Sequence, residues 1–259
     1  MAEKMKKTAL LVIDMQNDFI LAGGPMHVAG GAAIVPNVVK AVEIARQRGM
    51  LVIWVVREHD PLGRDVELFR RHHYSTEKTG PTAKGSVGSE LVDGLIICEG
   101  DYKLVKTRFS AFFATHLHSL LCTAGIDSLA VTGVQTPNCI RQTVFDAVAL
   151  DFSSVSVIVD ATAAATPEIH AANIFDMKNI GVATPTLDEW INVVGIAFKE
   201  RGRYIICSIL SASNNLYAFK IEKTEWKNIQ GCKWGKKPTV TTHHQPPVIE
   251  HHKPPVMPP

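Results

Sequence analysis

An acid, an amine and a thiol, each at or after the end of an apolar run, are the side chains of this sequence best suited to chemistry. Asp14 ends a run near the N-terminus, Lys106 follows a shorter run, and Cys139 comes after a run that closes in Gly133. A thiol with a free pKa of about 8.5 needs a base or a positive field to react near neutral pH. Asp14 could carry its proton and Lys106 could supply the charge, so the set predicts a nucleophilic cysteine.

The position of Cys139 supports this interpretation. The residue is predicted to lie near the beginning of a helix, just beyond the carboxyl end of a parallel strand. Unpaired N–H groups and the helix dipole at such a position stabilise a thiolate. The backbone N–H groups of residues 135–139 could also donate to an oxyanion. The alternative is a buried structural cysteine, which is the commoner fate of an isolated cysteine.

The elements that must position these groups alternate along the chain. Continuous apolar strands separated by helices predict an α/β fold of three layers, αβα, with a central, mostly parallel sheet. Ligands bind beyond the carboxyl ends of the strands in such sheets, so residues far apart in sequence can meet there. The predicted strands are 8–13, 50–56, 104–105, 128–132 and 155–159, and the predicted helices are 34–47, 114–124, 140–150 and 169–179.

Two segments depart from this rhythm. Residues 61–101 are rich in Gly, Ser and charge, and we predict a long loop with one short helix over 66–71; loops of this length are usually functional or mobile. The alternation stops near residue 198. We therefore predict a domain over 1–198 and an atypical extension over 199–259, irregular, rich in Pro and His, and disordered from about residue 234.

Composition restricts the partners. The chain has 259 residues and a net charge of +2, which does not favour nucleic acid or an anionic membrane as a partner. No apolar stretch approaches the roughly 18 residues that a membrane-spanning helix needs. Five cysteines without a CxxC pair argue against a disulfide framework and a structural zinc site, so we expect a cytoplasmic protein. They are Cys98, Cys122, Cys139, Cys207 and Cys232.

Three motifs in order resemble the isochorismatase-like cysteine hydrolases, a superfamily that includes nicotinamidases, N-carbamoylsarcosine amidase and ureidoacrylate amidohydrolase. The motifs are Ile-Asp-Met-Gln-Asn-Asp-Phe over 13–19, Lys-Thr-Arg-Phe-Ser-Ala-Phe over 106–112, and Gly-Val-x-Thr-x-x-Cys over 133–139. Each motif is weak alone, and the three together are specific. The resemblance covers about residues 8 to 195. It implies the isochorismatase-like hydrolase fold, a small-molecule substrate, and a homodimer or homotetramer.

The resemblance also implies roles for the three side chains. Cys139 would attack an amide carbonyl and form a thioester, Asp14 would pass the thiol proton to the leaving ammonia, and Lys106 would stabilise the charged pair. Water would then release the acid. The superfamily has a cis peptide bond that corresponds to Val134-Gln135 here, and this bond would direct the N–H of Gln135, beside that of Cys139, at the oxyanion.

Arg57 marks a departure from the nicotinamidases, which carry a metal-binding Asp-x-His after their second strand. Here Arg57 takes the place of the aspartate and His59 that of the histidine. A guanidinium cannot bind a cation, so we predict no metal, no cofactor, and an anionic or carbamoyl-type substrate rather than nicotinamide. The equally open alternative is that Arg57 pairs with an acid of the following loop, whose candidates are Asp60, Asp65 and Glu67.

Three further residues are candidates for the substrate pocket. Phe19 matches an aromatic residue that lines this pocket in the superfamily, and His59 is close to Arg57 in sequence. Phe109 follows Lys106 closely, and it could line the pocket or pack against the start of the next helix.

Three functions remain open at this point. The first is a cysteine-dependent amidohydrolase for a small carboxamide or carbamoyl compound. The second is a catalytically weak or inactive relative that binds a ligand or a partner protein. The third is hydrolysis of a vinyl ether of the isochorismate type, which does not need the thiol.

Overall fold

The computed structural model describes residues 7–193 and, beyond them, three short strands. Elements alternate as the sequence predicts, and a long loop separates the second and third strands. The strands of the main sheet are β1 (Thr8–Ile13), β2 (Leu51–Arg57), β3 (Tyr102–Lys106), β4 (Ser128–Val134) and β5 (Ser154–Ala163). The helices are α1 (Asn17–Ile20), α2 (Gly31–Gln47), α3 (Leu117–Thr123), α4 (Arg141–Ala149), α5 (Pro167–Asn179) and α6 (Leu187–Val193).

The five strands of the main sheet lie in the order β3-β2-β1-β4-β5, and every neighbouring pair is parallel. The prediction of a three-layer α/β fold is therefore confirmed. β1 occupies the centre, between β2 and β4. Because all five strands run in the same direction, their carboxyl ends share one edge, where a ligand site is expected.

Alternation along β1 divides the core between the two faces of the sheet. Leu10 and Val12 join the hydrophobic cluster that includes Val38 of α2 and Trp190 of α6. Leu11 lies in the opposite cluster, with side chains of α3, α4 and α5. Successive side chains of a strand point to opposite faces, so a fully apolar strand requires helices on both sides. The burial of five of the six residues of β1, all except the partly buried Thr8, reflects this requirement.

The long loop after β2 is held by polar contacts to the sheet edge. The Gln16 amide donates to the carbonyls of Arg57 and Ser89, at 2.7 Å in each case. The carboxylate of Asp18 accepts the N–H of Thr82 at 2.6 Å. The loop contains two 3₁₀ helices, Leu68–His73 and Val87–Ser89, so its first turn begins two residues later than predicted.

The chain beyond α6 is described only in part. Three antiparallel strands, β6 (Ala197–Glu200), β7 (Arg203–Ile206) and β8 (Phe219–Lys220), form a second small sheet. β6 crosses the predicted boundary between residues 198 and 199. The segment predicted to be disordered from about residue 234 lies outside the described residues. Among the described residues, the helices are too short or too polar to cross a membrane.

Thr166 is expected to stabilise α5, the helix that faces the turn after β4. Its hydroxyl accepts the N–H of Ile169 at 3.3 Å, and Pro167 occupies the first turn of the helix. Because a Ser or Thr cap is typically worth about 1 kcal/mol, Thr166→Ala should lower the free energy of unfolding by about that amount. Thr166→Ser, which retains the acceptor, should cost less. Urea unfolding of both variants measures the difference, and an unchanged stability of Thr166→Ala would contradict the assignment.

Candidate active site

Four chemically active side chains meet at the carboxyl edge of the sheet. Asp14 follows β1 directly, Arg57 ends β2 and Lys106 ends β3. Cys139 lies in a π-helical turn, Thr136–Ile140, which connects β4 to α4. The register of the parallel strands places these strand ends side by side, so the sheet itself brings the residues together.

Asp14 occupies an unusual backbone conformation. Its φ angle is +51°, in the left-handed region that few residues other than glycine adopt, although Asp tolerates it better than most. Backbone outliers of this kind cluster at functional sites. The side chain is completely buried.

Lys106 and Asp14 form a buried ion pair. The Lys106 Nζ donates to Asp14 Oδ2 at 2.8 Å and to the carbonyl of Arg108 at 3.2 Å. Both side chains are inaccessible to solvent. The second oxygen, Asp14 Oδ1, has no hydrogen-bond partner among the described residues. It is therefore available to accept a proton from a neighbouring group.

The Cys139 thiol is buried next to this pair, with 4% of the residue exposed. Burial raises the pKa of the thiol above its usual value, and the negative charge of Asp14 raises it further, while Lys106 and Arg57 act in the opposite direction. The net direction is upward, which favours a protonated thiol beside the Asp14 side chain. A proton acceptor is thus adjacent to the sulfur before any substrate is bound.

The turn that holds Cys139 has an unusual backbone. The Val134-Gln135 peptide bond is cis. The Gln135 carbonyl accepts the N–H of Asn138 at 3.1 Å and that of Ile140 at 3.2 Å, which ties the turn to the end of β4. Before the turn, Gly133 has a φ of +111°, and a Cβ there would lie 2.0 Å from the carbonyl oxygen of Ile13. Only glycine fits this position.

His170 of α5 contacts the same turn. Its Nδ1 lies 2.8 Å from the hydroxyl of Thr136, a fully buried residue at the start of the turn. Burial lowers the pKa of His170, so the neutral imidazole is favoured near pH 7. This contact is not suggested by sequence spacing, because it joins residues of two separate elements.

Arg57 is fully buried and contacts three members of the site. Its Nη2 lies 3.2 Å from Glu67 Oε1 and 3.8 Å from the Cys139 sulfur, and its Nε lies 3.7 Å from Asp14 Oδ2. Burial lowers the pKa of the Arg57 guanidinium, whereas Cys139, Asp14 and Glu67 raise it. The net shift of this pKa is upward.

Of the three loop acids considered from the sequence, Glu67 is the one that pairs with Arg57. Asp60 pairs with Arg64, and Asp65 lies against His59. The structure therefore contains the loop-acid pairing, the second of the two interpretations of Arg57. Burial raises and Arg57 lowers the pKa of the Glu67 carboxyl, and the net shift is downward.

His59 is committed to protein contacts through both ring nitrogens. Nε2 lies 3.3 Å from Arg57 Nη1, and Nδ1 lies 3.3 Å from Asp65 Oδ1. Burial and the Arg57 charge lower the pKa of the imidazole. Within the described part of the chain, His, Cys, Asp and Glu form no group of three that could hold a metal. A guanidinium against the histidine does not fit a metal ion, so no step of the chemistry below uses one.

The aromatic candidates occupy different surroundings. The Phe109 ring lies beside Arg57, whose guanidinium carbon is 5.5 Å from the ring centroid, and beside Arg70, at 5.3 Å. Phe19 is buried in the hydrophobic cluster that also contains Met15 and Val134. Arg70 and Glu67 are site residues that the sequence interpretation did not place together. A weak signal was available in their spacing of three, which puts them on one side of a helical turn.

A carboxylate, an amine and a thiol at the carboxyl edge of a parallel sheet define an α/β protein with the groups needed for nucleophilic catalysis. Residues 8–189 match the isochorismatase domain. The chain therefore belongs to the isochorismatase family, as the three motifs had suggested.

Individual relatives support this assignment. A protein of Arabidopsis thaliana described as a probable inactive nicotinamidase is 73% identical over 191 residues, which cover 73% of this chain and 97% of that protein. The crystal structure of an isochorismatase family protein from Desulfovibrio vulgaris is 43% identical, with a TM-score of 0.71, covering 73% of this chain and 98% of that chain. N-carbamoylsarcosine amidase from Thermoplasma acidophilum is 29% identical, with a TM-score of 0.60, covering 71% and 98%.

Proposed function

We propose that this chain is a cysteine-dependent amidohydrolase, which cleaves a small carboxamide or carbamoyl substrate through a thioester. One observation carries the proposal: the buried Cys139 thiol adjoins the Asp14–Lys106 ion pair, and Asp14 Oδ1 has no hydrogen-bond partner among the described residues. A buried carboxylate oxygen without a donor is costly unless it serves a partner that arrives or ionises.

The first half of the proposed reaction forms the thioester. The Cys139 sulfur attacks the carbonyl carbon, and the thiol proton moves to Asp14. The oxyanion that develops would accept hydrogen bonds from the N–H groups of Gln135 and Cys139. Collapse of this intermediate breaks the C–N bond, and the leaving ammonia takes the proton from Asp14. Lys106, 2.8 Å from Asp14 Oδ2, stabilises the carboxylate whenever Asp14 is ionised.

The second half releases the acid. Water attacks the thioester carbonyl while Asp14 accepts its proton, and the same donors would stabilise the second oxyanion. The C–S bond then breaks, the acid leaves, and the proton returns from Asp14 to the sulfur. The net reaction consumes one amide and one water and yields one acid and one ammonia.

Arg57 supports an anionic or carbamoyl substrate over nicotinamide. It places a positive group 3.8 Å from the sulfur, where a carbonyl or carboxylate oxygen of a substrate could contact it. Two comparisons support this preference. One relative acts on N-carbamoylsarcosine, by its name, and another is described as a probable inactive nicotinamidase.

The second candidate function is a protein that binds a ligand without turnover. The observation that favours it is the description of the Arabidopsis relative, at 73% identity, as probably inactive. The complete acid–amine–thiol set favours hydrolysis, because each buried charge would be costly to retain without a use.

Ammonia release from a panel of small amides and N-carbamoyl acids tests the proposal. The parent chain should release ammonia from at least one compound, and Cys139→Ala should lower kcat by about 10⁴-fold or more, because the whole covalent route is lost. Cys122→Ala, which removes an exposed thiol, is the matched control and should keep the parent rate. Mass spectrometry of the quenched parent should find the acyl group on Cys139.

Two outcomes would contradict hydrolysis by the thiol. Undiminished turnover by Cys139→Ala would indicate chemistry that does not use sulfur, such as cleavage of a vinyl ether. Binding of amides without release of ammonia would favour the ligand-binding function.

A further inference from the structure

Two buried arginines converge on one carboxylate beside the Cys139 thiol. We propose that Arg57 and Arg70 form the binding site for a carboxylate of the substrate, and that Glu67 occupies this site until the substrate arrives. This inference rests on the proposed function. The substrate would then be a small molecule that carries both an amide and a carboxylate.

The geometry around Glu67 is that of a bound carboxylate. Arg57 donates through Nη2 to Oε1 at 3.2 Å and through Nη1 to Oε2 at 3.5 Å. A two-pronged contact of this kind is how arginine recognises carboxylates. The Arg70 Nε lies 3.7 Å from Oε2, on the same carboxylate. The oxygen atoms of Glu67 therefore mark where those of a ligand would lie.

One donor group of the buried Arg70 is unsatisfied. The residue is 9% exposed, and its Nε has no hydrogen-bond partner among the described residues. The Nε of Arg57 is in the same situation. A buried guanidinium N–H is costly when unpaired, so the Arg70 Nε favours an acceptor that a ligand could supply, whereas the Arg57 Nε faces Asp14 Oδ2 at 3.7 Å. Each guanidinium also lies near the ring of Phe109, which gives the arginine cluster an apolar side.

The charge balance also favours an anion. The buried cations Lys106, Arg57 and Arg70 face two carboxylates, the buried Asp14 and the partly buried Glu67. Asp65 does not offset the excess directly, because its side chain is 38% exposed and contacts His59. With Glu67 in place the cluster thus keeps an excess of positive charge, which would attract an anionic ligand more than a neutral one.

The surroundings of the Cys139 sulfur are consistent with replacement of the Glu67 carboxylate by a carboxylate of the substrate. Cys139 is almost completely buried, and Arg57 separates its sulfur from Glu67 by short contacts on both sides. Glu67 adjoins the 3₁₀ helix Leu68–His73, whose first two side chains are 79% and 60% exposed. Arg70 belongs to the same 3₁₀ helix, and Val66 before Glu67 is buried, so the exchange requires only the Glu67 side chain to turn away while the helix stays in place.

Calorimetry with a matched pair of probes tests the inference. Succinamate carries an amide and a carboxylate, and succinamide is the neutral diamide of the same length. The full chain with Cys139→Ala prevents turnover during the titration. Succinamate should bind at least about tenfold more tightly than succinamide, as expected for a charge-assisted contact with arginine.

Substitutions then assign the preference to the arginines. Adding Arg70→Gln should abolish the preference for succinamate, whereas Arg71→Gln, at an exposed neighbouring arginine, should retain it. Glu67→Gln should tighten succinamate binding several-fold, because the competing carboxylate is gone. Arg70→Lys keeps the charge without the fork, and it should restore only part of the preference. Urea unfolding of each variant establishes that it is folded.

Equal affinity for the two probes, binding of neither, or a preference that survives Arg70→Gln would overturn the inference. Its failure is separable from that of the proposed function. Ammonia release from neutral amides by the parent chain, without any preference for succinamate, would retain the hydrolase and reject the carboxylate site. A preference for succinamate without ammonia release would retain the carboxylate site and reject the hydrolase.

Discussion

Lys106→Met is expected to lower the free energy of unfolding by about 3–5 kcal/mol, because it leaves a buried carboxylate without its main partner. The Lys106 Nζ lies 2.8 Å from Asp14 Oδ2, and neither side chain is accessible to solvent. After the substitution, the nearest remaining cation is Arg57, whose Nε is 3.7 Å from the same oxygen. Methionine fills a similar volume, so the loss measures the charge rather than a cavity.

A control on the same strand separates this effect from a general loss of lysine. Lys103 is exposed and pairs with Glu58, and Lys103→Met should cost less than about 1 kcal/mol. Asp14→Asn combined with Lys106→Met removes both charges and should recover part of the lost stability. Urea unfolding followed by the fluorescence of buried Trp54 and Trp190 provides the measurement. A loss below about 1 kcal/mol for Lys106→Met would show that the pair is not desolvated.

The meeting of Asp14 and Lys106 could be predicted because it follows from the common direction of the parallel strands. Asp14 directly follows the apolar strand β1 and Lys106 ends β3, whose apolar run is shorter, and parallel strands bring these ends to one edge. The sequence pattern is strong in β1, since a strand that is buried on both faces is apolar throughout. Burial of five consecutive residues in β1 is the structural counterpart of that pattern.

The Arg57–Glu67–Arg70 cluster could be predicted only in part. The sequence offered Glu67 as one of three possible partners for Arg57, and nothing in local propensity distinguished it from Asp60 or Asp65. The choice depends on the path of the loop, which is fixed by distant contacts such as that of Gln16 with Ser89. Loop conformation of this kind carries no periodic signal in the sequence.

The predicted boundaries of helices and strands were wrong where the backbone is irregular. β5 extends over Ser154–Ala163, beyond the predicted 155–159, because the pairing with β4 shifts between Val131 and Gly133. A bulge adds residues to one strand without changing the apolar pattern that marks its core. The π-helical turn Thr136–Ile140 similarly delays the start of α4 to Arg141.

Arg57→Met should have two effects, of which the first is on stability. The substitution leaves Glu67 without its two-pronged partner and removes one of the two cations near Asp14. We expect the free energy of unfolding to fall by about 3–5 kcal/mol. Adding Glu67→Gln should recover part of this loss, because it removes the carboxylate that Arg57→Met leaves without a partner. Arg64→Met, at an exposed ion pair with Asp60, should cost less than about 1 kcal/mol.

The second effect of Arg57→Met is on the reactivity of the thiol. Arg57 lies 3.8 Å from the Cys139 sulfur and lowers the pKa of the thiol, in opposition to burial and Asp14. Without it the pKa rises further, the thiolate fraction at a given pH falls, and the pH profile of Cys139 alkylation by iodoacetamide should move to higher pH. Arg57→Lys should shift the profile less, since the charge remains. An unmoved profile in Arg57→Met would mean that Arg57 does not contribute to the charge environment of the sulfur.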